Sequence, residues 1–237
     1  MSELLTYELN GAVATIVMDD GKVNVMSAEM LRALNQALDR AENDNANVVL
    51  AGREGIFSAG FDTKTLARAD PDETYEMMRL GSELALRVLS YSRPFVTACT
   101  GHAFPMGAFL MLSADVRLGI EGPYKIGLNE VTIGLTLPHF AVELARARVT
   151  PSYFNRIVTG ELLQPQEAIV AGYLDRIVPK DQLLQTAQLI AMQLTAVDMP
   201  SHTATKKRIR AHAIEAVRNA IDSEITPDFY RDRTPRH

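Results

Sequence analysis

One cysteine, Cys99, is present among 237 residues, which excludes an internal disulfide and any multi-cysteine metal site. It lies in the apolar run Phe95-Val96-Thr97-Ala98-Cys99-Thr100, where a thiol is a core filler far more readily than a nucleophile. No apolar stretch approaches the ~20 residues needed to span a bilayer. The start has no basic-then-apolar leader, and the end Thr234-Pro235-Arg236-His237 matches no retention or peroxisomal signal, so a cytoplasmic protein is expected. An excess of basic charge is also missing. The net charge is -5, which argues against general nucleic-acid binding. Phosphate-loop motifs, dinucleotide fingerprints and metal-ligand clusters are absent, as are repeats and low-complexity segments. What remains is 47% hydrophobic and 22% charged, a globular composition with enough length for one domain and a sizeable core.

Along the chain, Tyr7 to Met18 reads as two alternating strands around Asn10-Gly11, a favoured hairpin dipeptide. Ser27 is placed to cap a helix carrying Leu31, Leu34, Leu38 and Ala41 at helical spacing. Val48-Val49-Leu50-Ala51 is a short buried strand, and residues 52–62 form a glycine-punctuated loop. Asp70-Pro71 begins a long helix, Thr150-Pro151 another, and Gln164-Pro165 a short one stopped at Gly172. Residues 174–178 suit a strand, and residues 180–196 and 201–222 two terminal helices. Strand and helix alternate through the first half, which argues for an α/β core with a helical end.

The chemistry concentrates between residues 101 and 130. Pro105 suits the first helical position ahead of the apolar run 106–114, leaving the Met106 and Gly107 amides as unpaired donors at the positive end of a helix dipole. Such a terminus holds developing negative charge. Glu130 is the one carboxylate in the apolar-flanked run 126–133. Taken alone it reads more readily as an ordinary surface glutamate. An oxyanion site plus one base is nonetheless the equipment for removing a proton beside a carbonyl.

The loop Phe57-Ser58-Ala59-Gly60-Phe61-Asp62, the Gly-led segment 101–109 and Ile126-Gly127-Leu128-Asn129-Glu130 together resemble the crotonase (enoyl-CoA hydratase/isomerase) superfamily over nearly the whole chain. The resemblance implies an α/β fold with a spiral of ββα turns over residues 1–195 and a helical, trimer-forming segment over 196–237. It implies a homotrimer or a hexamer of paired trimers, with an acyl-coenzyme A thioester as ligand. No cofactor is needed beyond the coenzyme A that the substrate carries, and no metal. By position, the oxyanion-hole amides fall on Ala59 and Met106, and the base on Glu130. The substrate-binding positions fall on Ser58, Gly60, Phe61, Asp62, Thr63, Lys64, Gly107, Phe109, Pro138 and His139. For Asp62, capping of the following turn is the favoured side-chain role.

Hydratases of this family use two glutamates, and the second position falls on Phe109, which cannot ionise. The pattern is therefore most similar to the Δ3,Δ2-enoyl-CoA isomerases, whose reaction needs a single base to move a proton from C2 to C4. Pro105-Met106 departs from the usual glycine, and a Met side chain there is expected to narrow the pocket. The cluster Lys206, Lys207, Arg208 and Arg210 reads as a solvated face or as partners for the coenzyme A 3′-phosphate, with Lys64 an equal contender. The competing readings are weak hydration or thioester hydrolysis from the same base, and a non-catalytic acyl-CoA-binding homologue.

Overall fold

The computed structural model describes residues 4–233. The readings placed on residues 1–3 and 234–237 lie outside the described residues. The chain opens with the expected hairpin, β1 (Leu5–Asn10) antiparallel to β2 (Val13–Met18). After β3 (Val25–Met26) comes α1 (Ala28–Asn43), capped by Ser27, whose hydroxyl accepts the Met30 N–H. Its buried Met30, Leu31, Leu34, Leu38 and Ala41 form the stripe of a helix lying on a sheet. A second turn contains β4 (Asn47–Ala51), β5 (Gly55–Ser58), β6 (Gly60–Phe61), the short α2 (Thr63–Ala67) and the long α3 (Pro71–Ser90). The third has β7 (Phe95–Ala98), β8 (Gly101–Ala103) and α4 (Pro105–Ser113).

A fourth turn starts with β9 (Val116–Gly119) and continues through a 3-10 turn at Glu130–Ile133, α5 (His139–Arg148), α6 (Pro151–Phe154) and α7 (Pro165–Ala171). The end comprises β10 (Arg176–Ile177), α8 (Leu183–Gln193), α9 (Met199–Glu224) and α10 (Pro227–Arg233). The main sheet has the order β1-β2-β4-β7-β9-β10 and is parallel from β2 onward. Short parallel pairs, β3 with β6 and β5 with β8, form a second layer. The first three turns thus give a strand to the main sheet, a strand to the short layer, and a helix. This is the expected ββα spiral with a helical end. β4 is buried at every residue, as a parallel strand covered on both faces must be.

Parts of the chain differ from the sequence reading. Residues 52–62 contain β5 and β6 rather than loop alone, because their partners, β8 and β3, are distant in sequence. α9 begins at Met199, since Asp198 caps it by accepting the Ser201 N–H. α10 was not anticipated.

α9 packs along α3 and α5 of the same chain. Lys206 and Arg210 are buried, only 7% and 8% exposed, and face inward. Lys206 Nζ and Arg210 Nη2 reach the Asp115 carboxylate at 2.6 and 2.8 Å. Arg210 also donates to the Ser113 and Ala114 carbonyls at the end of α4, and Arg148 to Ala114. The expectation of a four-residue phosphate-binding face is thereby corrected: only Lys207 and Arg208 of the cluster are exposed.

Candidate active site

α4 is buried along its whole length. Pro105 occupies the first turn as expected, and Phe104, the N-cap residue, supplies no side-chain cap. The first bond of the helical ladder runs from Ala108 N–H to Phe104 O at 3.0 Å. The Met106 and Gly107 amides precede that ladder and stand at the positive end of the dipole. The residue 57–61 segment touches this helix start at backbone distance. A Cβ on Gly60 would lie 3.5 Å from Pro105 N and 3.7 Å from Met106 N, and one on Gly107 would come within 2.8 Å of Ser58 Cβ. Gly60 also takes φ +87°, which side chains resist. Ser58 locks the segment from beneath. Its buried hydroxyl donates to Asn24 O at 2.8 Å and accepts the Gly60 N–H at 3.1 Å.

A cavity of about 510 Å³ opens over this junction. Ala59, Gly60, Phe61, Thr63, Phe104, Pro105, Glu130 and Pro138 contribute to its wall. Glu130 begins the 3-10 turn and is 7% exposed, with Oε2 buried and without a hydrogen-bond partner. Burial pushes its carboxyl up to about 7, against the opposing pull of its own backbone N–H. Buried Tyr173 lies close enough for the Glu130 charge to add to desolvation in raising its phenol. Two other carboxylates on the wall are already engaged. Asp70 caps α3, accepting the Asp72 and Glu73 N–H groups at 2.9 and 3.0 Å, and Glu224 Oε2 accepts the His139 N–H at 2.6 Å.

Several sequence-read site residues stand elsewhere. The Ala59 N–H donates to Val23 O at 3.0 Å, so Ala59 lines the cavity but its amide is not an oxyanion donor. The Met106 side chain is fully buried, with Sδ 3.3 Å from the Cβ position of Gly81 in α3, so it runs behind the site instead of narrowing it. Phe109 is likewise fully buried, stacked edge-on against Phe140 at 5.4 Å, and is core alone. Asp62 caps α2 by accepting the Lys64 N–H at 3.0 Å. Ser58, Gly107, Lys64 and the His139 side chain do not reach the cavity wall. Sequence reading missed Thr74 and Met78 of α3, Ile133 and Leu135 beyond Glu130, Glu224, and Phe229 and Tyr230 of α10. For α10, Thr226-Pro227 was the available signal, a cap followed by a first-position proline.

The sequence profile of the enoyl-CoA hydratase/isomerase family matches residues 8–228. The chain belongs to that family. It is 30% identical over 212 residues to mouse mitochondrial enoyl-CoA delta isomerase 1, covering 87% of this chain and 73% of the relative. A putative enoyl-CoA hydratase of Thermus thermophilus is 33% identical over 207 residues, covering 85% and 81%. The crystal structure of an enoyl-CoA hydratase/isomerase family protein from Pseudomonas syringae superposes with a TM-score of 0.91 at 41% identity, covering 94% of this chain and 97% of that one. Enzymes of this crotonase-fold family act on coenzyme A thioesters without a separate cofactor. Among the described residues, no group of three or more His, Cys, Asp or Glu is arranged to hold a metal ion. No helix of the described residues is long and apolar enough to cross a membrane.

Proposed function

We propose that this family member shifts the double bond of a 3-enoyl-CoA to the 2-position. The observation that carries the reading is that Glu130 alone among the cavity carboxylates has a buried oxygen without a partner, while Asp70 and Glu224 are held by helix N-terminal amides. One available base suits proton removal at C2 and its return at C4. Hydration needs a second acid, and the corresponding Phe109 is packed into the core. The dienolate charge rests on the thioester oxygen, facing the Met106 amide with the α4 dipole behind it. One such donor supplies ~3 kcal/mol to the transition state. The apolar surroundings that raise Glu130 make it a stronger base once ionised.

The same reading places a spiral core at residues 1–195 and a trimer-forming segment at 196–237, with chains gathered as trimers or hexamers. Sedimentation tests that assembly. The cytoplasm is the working expectation for location, against a mouse relative named mitochondrial, and cell fractionation decides it.

The test offers a trans-3-enoyl-CoA and a trans-2-enoyl-CoA to wild type and Glu130→Gln in parallel. Conversion of the first into the second, abolished in the variant with acyl-CoA affinity retained, supports the proposal. Hydroxyacyl-CoA or free coenzyme A as main product selects hydration or thioester hydrolysis. Tight binding without turnover of any enoyl thioester selects a binding homologue.

A further inference from the structure

The cavity above Glu130 has a wall that the proton transfer does not use. α10 brings Phe229 and Tyr230 to it, facing Leu66, Thr74 and Met78 of α2 and α3. The two aromatic rings meet at 5.2 Å, edge to face, and Tyr230 packs on Tyr75 of α3 at 6.2 Å. Outside, Arg231 pairs with Asp72 at 2.9 Å and ties α10 to the start of α3.

Charge indicates which end of an acyl thioester this wall receives. Asp70 and Glu224 line it, Asp72, Glu73 and Asp228 adjoin its lining residues in α3 and α10, and the guanidinium groups of Arg68 and Arg231 are engaged with Glu73 and Asp72. A nucleotide bearing several phosphate charges is repelled from these carboxylates. Exposed Lys22 and Lys64 stand beside the 59–63 segment of the cavity wall. Lys22 precedes Val23, whose carbonyl holds the Ala59 N–H, and Lys64 follows the same segment. The phosphates belong there, so the hydrocarbon tail points toward α10.

We propose that Phe229 and Tyr230 close the far end of the acyl tunnel and set the longest acyl chain this protein accepts. The proposal rests on an acyl thioester occupying the cavity, not on the double-bond shift.

The test measures affinity of the full chain for saturated acyl-CoAs, from butanoyl to hexadecanoyl, by calorimetry. In wild type each added methylene tightens binding roughly fourfold until the tail meets the aromatic pair, and further length then gains nothing. In Phe229→Ala or Tyr230→Ala that break moves to chains longer by about two methylenes, the length a removed ring leaves open. A break at the same length in both folded variants overturns the proposal, as does absence of acyl-CoA affinity. A second measurement needs no substitution. Wild type is photolabelled with an acyl-CoA of the break length carrying a terminal diazirine. Label on residues 226–233 is the expected result, and label confined to other segments refutes it. Saturated thioesters cannot isomerise, so a moved break with no turnover of 3-enoyl-CoA sinks the isomerase reading and leaves this one standing.

Discussion

Glu130 gives the protein a stability that falls as pH rises. Its carboxyl is raised from 4.5 to about 7 in the folded state, while in the unfolded chain it titrates normally. The folded state therefore binds the proton more tightly. That contribution is fully present below about pH 4.5 and is lost as the pH climbs through about 7. At about 1.4 kcal/mol per tenfold change in the proton equilibrium, the loss is about 3 kcal/mol. Glu130→Gln keeps the shape and removes the titration. Urea unfolding of both proteins at about pH 4.5 and about pH 8 reads the effect through the difference in midpoints, scaled by the denaturant slope. The variant is expected to gain on wild type by about 2–3 kcal/mol between the two pH values. A gap that stays constant would mean Glu130 ionises normally in the folded protein, and the case for a desolvated base would fall with it.

Turnover should show the other side of the same titration: kcat/KM on a 3-enoyl-CoA rises through about pH 7 as Glu130 ionises, and a flat profile there excludes it as the base. Gly81→Ala places a Cβ 2.4 Å from the Phe61 ring and 3.3 Å from Met106 Sδ. It should cost about 1–3 kcal/mol in urea unfolding, and the displaced ring should raise KM. Asp115→Asn leaves Lys206 and Arg210 buried without their counter-charge. A loss of about 3–5 kcal/mol is expected in denaturant titration, and a loss below about 1 kcal/mol would show the pair to be solvent-screened.

Features signalled by neighbours in the chain were legible. Asp70-Pro71, Gln164-Pro165 with Gly172, and the Asn10-Gly11 turn all mark elements that form where they were read. β5, β6 and β8 were not, because each is held by a strand far along the chain and carries little pattern of its own. The same reason hid the fate of the Ala59 amide, whose acceptor is on residue 23. In the basic run, Lys206 and Arg210 are four residues apart and share one helical face. Composition alone favoured solvent for that face, and the half-buried Asp115 explains why it turns inward. Glu130 was found through its motif. Its unpartnered oxygen was visible only in three dimensions.

The charges behind α4 bear on how a mutational scan of this protein would read. Arg210 and Arg148 grip the last carbonyls of α4, about 13 Å behind its first amides along the axis. Under the proposed function, substitutions there would let the helix tilt or slide and carry its front amides away from the thioester oxygen. A screen scored for turnover would flag Arg210 as strongly as a wall residue. It would be recording the aim of a helix, from a position no substrate atom ever visits.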